Sequence, residues 1–179
     1  EDYEDFMQAL TEVSPVPITY ENIDGDAKEY FHTTDHRIAI QEGMSQSQTV
    51  KTAIHEVAHA KLLDRERNQD IDKVLDKDRN TKEVEAESVA YTVCQHFGID
   101  TSDYSFGYIA GWSSDRDMKE LKSSLDTIRK TASELITGIE DRLAELQKDR
   151  AVEQEQNKES ILLIQNDDLT QYSLVSVVG

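Results

Sequence analysis

The chain has 179 residues, with 37 acidic against 19 basic side chains and a formal charge of −18. Phosphate backbones and anionic membrane surfaces both recruit Lys and Arg patches, so this excess of carboxylates argues against direct binding to either. The length fits one domain with a real core, and the acidity serves solubility unless it meets a basic substrate segment or mimics nucleic acid.

In chain order, residues 2–12 form a short acidic helix with Phe6, Met7 and Leu10 as its apolar side. Ser14-Pro15-Val16-Pro17 ends it, because proline cannot continue a helix and restricts the residue before it. Ile18 to Ile23 reads as a strand. Glu29-Tyr30-Phe31-His32 and Arg37-Ile38-Ala39-Ile40 read as two more, joined by the turn-rich Thr33-Thr34-Asp35-His36. His32 and His36 belong to this hairpin and are expected to be solvated. The three strands make a small antiparallel sheet.

Gly43 closes the sheet region, and Ser45 with Gln48 makes a capping box for the next helix. From Gln46 to Leu63 the apolar residues Val50, Ala53, Ile54 and Val57 share one face, which packs on the sheet. His55 and His59 lie away from that stripe, toward an opposing element. The charged stretch Asp64 to Asp78 follows as a loop. A second helix runs from Thr81 to Phe97, buries Ala86, Ala90, Val93 and Phe97, and stops at Gly98. Cys94 falls on its apolar pattern as a small core residue. As the one cysteine, it excludes an internal disulfide and suits a reducing cytoplasm.

Tyr104 to Trp112 is an aromatic-rich turn or short helix, with Trp112 in the core. A long helix from Asp115 to Arg150 carries the seam Met118, Leu121, Leu125, Ile128, Ala132, Leu135 and Ile139. Its coiled-coil-like spacing packs on the parent domain or makes a dimer. Gly138 is a place for a kink. Domain boundaries follow: residues 1–150 form the domain, Glu153 to Ser160 a linker, and Ile161–Gln165 with Tyr172–Val178 a strand-like tail. The chain opens at Glu1 without a methionine and reads as a piece of a larger protein. No apolar run approaches the roughly 20 residues that span a bilayer, and no secretory signal is present.

The chemistry concentrates in His55-Glu56-Val57-Ala58-His59. On a helix, residues four apart share a face, so two imidazoles at that spacing can grip one metal ion. Glu56 projects about 100° round the axis from His55, where a carboxylate can act as general base on a water without ligating the metal. A catalytic zinc takes three protein ligands and a water. Glu83, 24 residues after His59 and at the start of the next helix, is the best third donor. The competing reading makes it an ordinary acid favoured by the helix dipole. Glu87, one turn on, is placed to accept a hydrogen bond from a ligating histidine's other ring nitrogen. Glu85 points elsewhere. Tyr104 or Tyr108 is a candidate oxyanion donor, with packing the commoner role for such aromatics. Neither Cys94 nor His96 has neighbours that would close a four-ligand structural site.

With these residues placed, the chain resembles the zincin metallopeptidases of the ArdC antirestriction and ImmA/IrrE type. The likeness runs over residues 27–147. It takes in Glu29-Tyr30-Phe31-His32, Arg37-Ile38-Ala39-Ile40, the His55–His59 motif and Glu83-Val84-Glu85-Ala86-Glu87. Tyr108-Ile109-Ala110-Gly111-Trp112 and the long helix are similar to the ArdC side of the group. The resemblance implies an α+β, zincin-like fold in which a small antiparallel sheet packs on the H-E-x-x-H helix, with a long C-terminal helix. It implies a bacterial module of larger proteins on conjugative or phage-like elements, with His55 and His59 as zinc ligands, Glu56 as base and the third ligand in the Glu83 segment. Two departures stand out. The DNA-binding domain that precedes this module in ArdC-like proteins has no counterpart here. Glu85 also fits part of the ImmA-type pattern, so the resemblance leaves the choice within the segment open, and helix geometry favours Glu83.

The resulting expectation is a cytoplasmic zinc metallopeptidase domain acting on a protein substrate, as a monomer or as a dimer through the long helix. The alternatives are a catalytically inactive, metal-stabilised protein-interaction (antirestriction) module and an acidic nucleic-acid mimic.

Overall fold

A computed structural model describes residues 2–25, 29–32, 36–67, 79–102, 111–112 and 116–177, with backbone alone for 29–32 and 172–177. The elements are α1 (Asp2–Val13), β1 (Ile18–Glu21), β2 (Glu29–His32), β3 (Arg37–Gln41), α2 (Gln46–Arg67), α3 (Arg79–His96) and α4 (Met118–Val177). The chain divides into two compact units, Glu1–Glu140 and Asp141–Gly179.

The first unit is mostly helical around a three-stranded sheet of order β1-β3-β2. The hairpin pair β2–β3 is antiparallel, with Tyr30 opposite Ala39. The sheet is nevertheless not the antiparallel one expected, because β1 runs parallel to β3, with Thr19 opposite Ala39. The reason is topological. The chain leaves β1, crosses to the far edge as β2 and returns as the central strand, which then runs in the direction of β1. Covered on both faces, Ile38, Ala39 and Ile40 are all buried without alternation. Arg37 ties the pair from the side, its Nη1 donating to Glu21 Oε1 at 2.7 Å and Thr19 Oγ1 at 3.0 Å.

Both β2 and β3 pack on α2, which also packs on α3 and α1. Ser45 caps α2, its Oγ accepting from Gln48 N at 3.2 Å, and the buried Val50, Ala53, Ile54 and Val57 form its inner face. The helix continues to Arg67, further than its apolar stripe. Residues 68–78 lie outside the described residues.

A Schellman closure ends α3. Ile99 N donates to Cys94 O and Gly98 N to Gln95 O, with Gly98 at φ +68°, a conformation that glycine adopts without a Cβ penalty. Edge-on contact between Phe6 and Phe97 joins α1 to this end, and Cys94 is buried.

Asp117 caps α4, its Oδ1 accepting from Glu120 N at 2.8 Å. The buried face of α4 differs from the expected seam. Met118 and Leu125 are exposed, while Ser124, Thr131, Ala132, Leu135 and Ile139 are buried. The helix is continuous through Gly138, which lets Val13 approach closely: a Cβ there would meet Val13 Cγ1 at 3.1 Å.

The second unit corrects the expected linker and strand-like tail, since residues 141–177 are helical throughout. Strong helix formers (Glu, Gln, Lys, Arg, Ala) dominate 142–160, and the helix they sustain carries the apolar run at Ile161–Ile164 with it. Those four side chains and Leu169 are exposed.

Candidate metal centre

The motif spans the middle turns of α2 and delivers His55 and His59 to the side facing α3. Their Nε2 atoms are 3.1 Å apart and the rings meet edge to face, centroids 4.7 Å apart. Opposite them, from the first turns of α3, Glu83 Oε2 lies 3.3 Å from His59 Nε2 and 3.8 Å from His55 Nε2. Among the described residues these three side chains form a group able to hold a metal ion, one donor atom each, all within 4.8 Å of one another.

The spacing can be tested against zinc itself. Two donors each about 2.0–2.2 Å from one ion and roughly tetrahedrally disposed are about 3.4 Å apart. The observed edges of 3.1, 3.3 and 3.8 Å bracket that value. Two imidazoles and one carboxylate are also a donor set that zinc accepts. The residues therefore fit the ion. The side chains of His55, His59 and Glu83 keep 24%, 20% and 30% of their surface exposed, so solvent reaches the group from one side.

Electrostatics sharpens the assignment within the segment. The two imidazoles, His55 foremost and then His59, hold the Glu83 carboxyl far below the usual carboxylate range against the opposing effect of burial. Glu83 is thus a charged donor at any physiological pH. Glu85 is turned away: it is 1% exposed and accepts a 2.9 Å hydrogen bond from Ser124 Oγ on α4. Glu87 is buried on the Glu83 side. Its Oε2 has no hydrogen-bond partner among the described residues, so the expected bond from a ligating histidine is not made by that atom. Burial pushes its pKa up; nearby His55 opposes the rise and the charge of Glu83 adds to it. Glu56, next to His55, is 6% exposed and outside the three-donor group.

Tyr104 and Tyr108 lie outside the described residues. Trp112 is only partly buried, and its Nε1 donates to Thr81 Oγ1 at 2.8 Å in the first turn of α3. The guanidinium of Arg116 sits 5.8 Å from the Trp112 ring centroid. Sequence reasoning missed Ser124, Thr81 and the polar role of Trp112. The signal for Ser124 was its spacing of three and four residues from Leu121 and Ile128, which puts a hydroxyl on a mostly apolar face.

No family model matches the chain. The uncharacterized protein pXO2-81 of Bacillus anthracis is 37% identical over 127 residues, 70% of this chain but 20% of that protein. The chain thus spans about a fifth of the length of this relative. Two crystal structures of the antirestriction protein ArdC from plasmid R388 align over 80% of the chain. The Mn(II)-bound one shows 20% identity, 51% coverage of its own chain and a TM-score of 0.46. The metal-free one shows 21%, 49% and 0.45. The chemistry of the site rests on its own geometry.

Proposed function

We propose that the chain is a zinc-dependent metallopeptidase domain hydrolysing peptide bonds, a module of a mobile-element-type bacterial protein. The observation that carries this reading is the convergence of His55, His59 and Glu83 from two helices, with a carboxylate, Glu56, beside the first histidine. A site that only holds a metal has no need of that carboxylate.

His55, His59 and Glu83 would hold the ion, two neutral ligands and one anionic. When bound, zinc supplies Lewis acidity, polarising a carbonyl and lowering the pKa of a nearby water. Glu56 holds the proton of the attacking water on a carboxylate oxygen and returns it to the leaving amine nitrogen. The partial exposure of the three donors gives a peptide access to them. A protein is the substrate, the formal charge of −18 favours basic segments and disfavours direct nucleic-acid contact, and the active form is a monomer or a dimer through α4. No described helix is long and apolar enough to cross a membrane, and a reducing cytoplasm suits a chain whose one cysteine is Cys94.

The burial of Glu56 favours a second reading, an inactive protein-interaction module in which the metal only braces α2 against α3. Peptide-library cleavage by zinc-loaded wild type and by Glu56→Gln separates the two. The peptidase reading expects cleavage by wild type and a loss of about 10²–10⁴-fold in the variant, the usual contribution of a general base. Zinc-loaded wild type that cleaves no library peptide supports the module.

A further inference from the structure

Helix α3 presents Glu83 and Glu87 to the motif helix, and its opposite side is held by two polar clasps. Positions 81 and 85 lie one turn apart, within about 40° of each other round the axis, whereas 83 is about 200° from both. Thr81 and Glu85 therefore form a line on the back of the helix, bracketing Glu83 in sequence and opposing it in angle. Each is buried, and each meets a donor from another element. Trp112 Nε1 donates to Thr81 Oγ1 at 2.8 Å, and Ser124 Oγ donates to Glu85 Oε1 at 2.9 Å.

The geometry points to Ser124 and Trp112 as positioning residues for the metal centre, which set the rotation of α3 about its axis and thereby the reach of Glu83 to His55 and His59. The physical reason is leverage. Apolar packing of Val84, Val89 and Val93 is non-directional, so it sets the angle of the helix about its axis less sharply than a hydrogen bond does. A buried carboxyl group at 1% exposure is less indifferent, since a hydrogen bond has a preferred direction and losing one in the interior carries a cost. Glu83 stands 3.3 Å from one imidazole and 3.8 Å from the other, so a small rotation of α3 exchanges or breaks those distances. Glu85 thus has a function that its place in the Glu83 segment does not announce: it anchors the ligand helix and does not ligate.

This assignment rests on the metal-centre reading, and the test separates the two. Zinc affinity is measured by competition with a chromogenic chelator for wild type, Ser124→Ala, Ser124→Thr and Trp112→Phe, together with the Co(II) absorption spectrum of each. Far-UV circular dichroism and thermal melting of the metal-free proteins report folding. The expected result is a loss of zinc affinity of about 10- to 100-fold in Ser124→Ala and Trp112→Phe, the range for residues that orient metal ligands. Altered Co(II) bands should accompany it, and Ser124→Thr, which keeps the hydroxyl, should return both toward wild type. Variants that melt lower but bind zinc with wild-type affinity and spectrum would overturn the positioning role while leaving the metal centre standing. Wild type that binds neither metal overturns both. Should Ser124→Ala not fold, Trp112→Phe alone decides, because an unchanged Co(II) spectrum there contradicts the assignment.

Discussion

Glu83 Oε2 on α3 stands 3.3 Å from His59 Nε2 on α2, so the acid and the second histidine of the motif bridge two helices across a solvent-reached edge. A carboxylate held ionised by two imidazoles is a pre-formed anionic ligand. Glu83→Gln keeps the shape and removes the charge. Its zinc affinity should fall a hundredfold or more, about 3 kcal/mol, by isothermal titration. Equal affinity in the variant would assign the third donor elsewhere.

Glu87 gives a pH dependence in the metal-free protein. Its folded pKa lies above the unfolded value because burial disfavours the charged form. Between those two values the folded chain binds more protons than the unfolded one, so stability falls as pH rises. The contribution is fully present below the ordinary carboxylate range and is lost as pH climbs through the raised value of Glu87. Glu87→Gln should therefore melt higher than wild type at pH 7 and show a shallower decline between pH 4 and 7. A stability difference between wild type and Glu87→Gln that stays constant across that window would contradict the burial argument.

Much of the site was legible because helices make it a local matter. Residues four apart share a face whatever surrounds them, so His55 with His59 and Glu83 with Glu87 could be paired from spacing alone. Caps were legible for the same reason: Ser45 and Gly98 act on backbone groups within one turn. What escaped depends on distant partners. The parallel pairing of β1 with β3 follows from chain crossing, which no strand's own residues record. The seam on α4 was misread because Leu125 looks apolar, yet the face turned inward carries Ser124, whose hydroxyl meets Glu85. The Ile161–Ile164 run was read as strand from its side chains, and the preceding helix formers overrode that preference.

Core packing should be separable from metal binding. Ile54 is fully buried on the inner face of α2, next to His55 in sequence but on the sheet side. Ile54→Ala should cost about 2–5 kcal/mol by denaturant unfolding of the metal-free protein. Zinc affinity of the folded variant should stay within a few-fold of wild type. A loss of affinity as large as that of Glu83→Gln would show that the two faces of α2 are not independent.

The C-terminal stop of α3 makes a smaller prediction. Gly98 at φ +68° closes the Schellman turn, and any side chain there is strained. Gly98→Ala should lower stability by about 1 kcal/mol, read as a shift of the urea midpoint at unchanged slope. No shift would mean that the turn relaxes at no cost.

The central claim is that one divalent ion is held by His55, His59 and Glu83, and metal content after zinc loading and desalting tests it most directly. By elemental mass spectrometry the wild-type chain should retain one zinc per molecule, and the His55→Ala/His59→Ala double variant should retain none while keeping its far-UV circular dichroism. Wild type that desalts free of zinc, or a double variant that keeps it, would contradict the account.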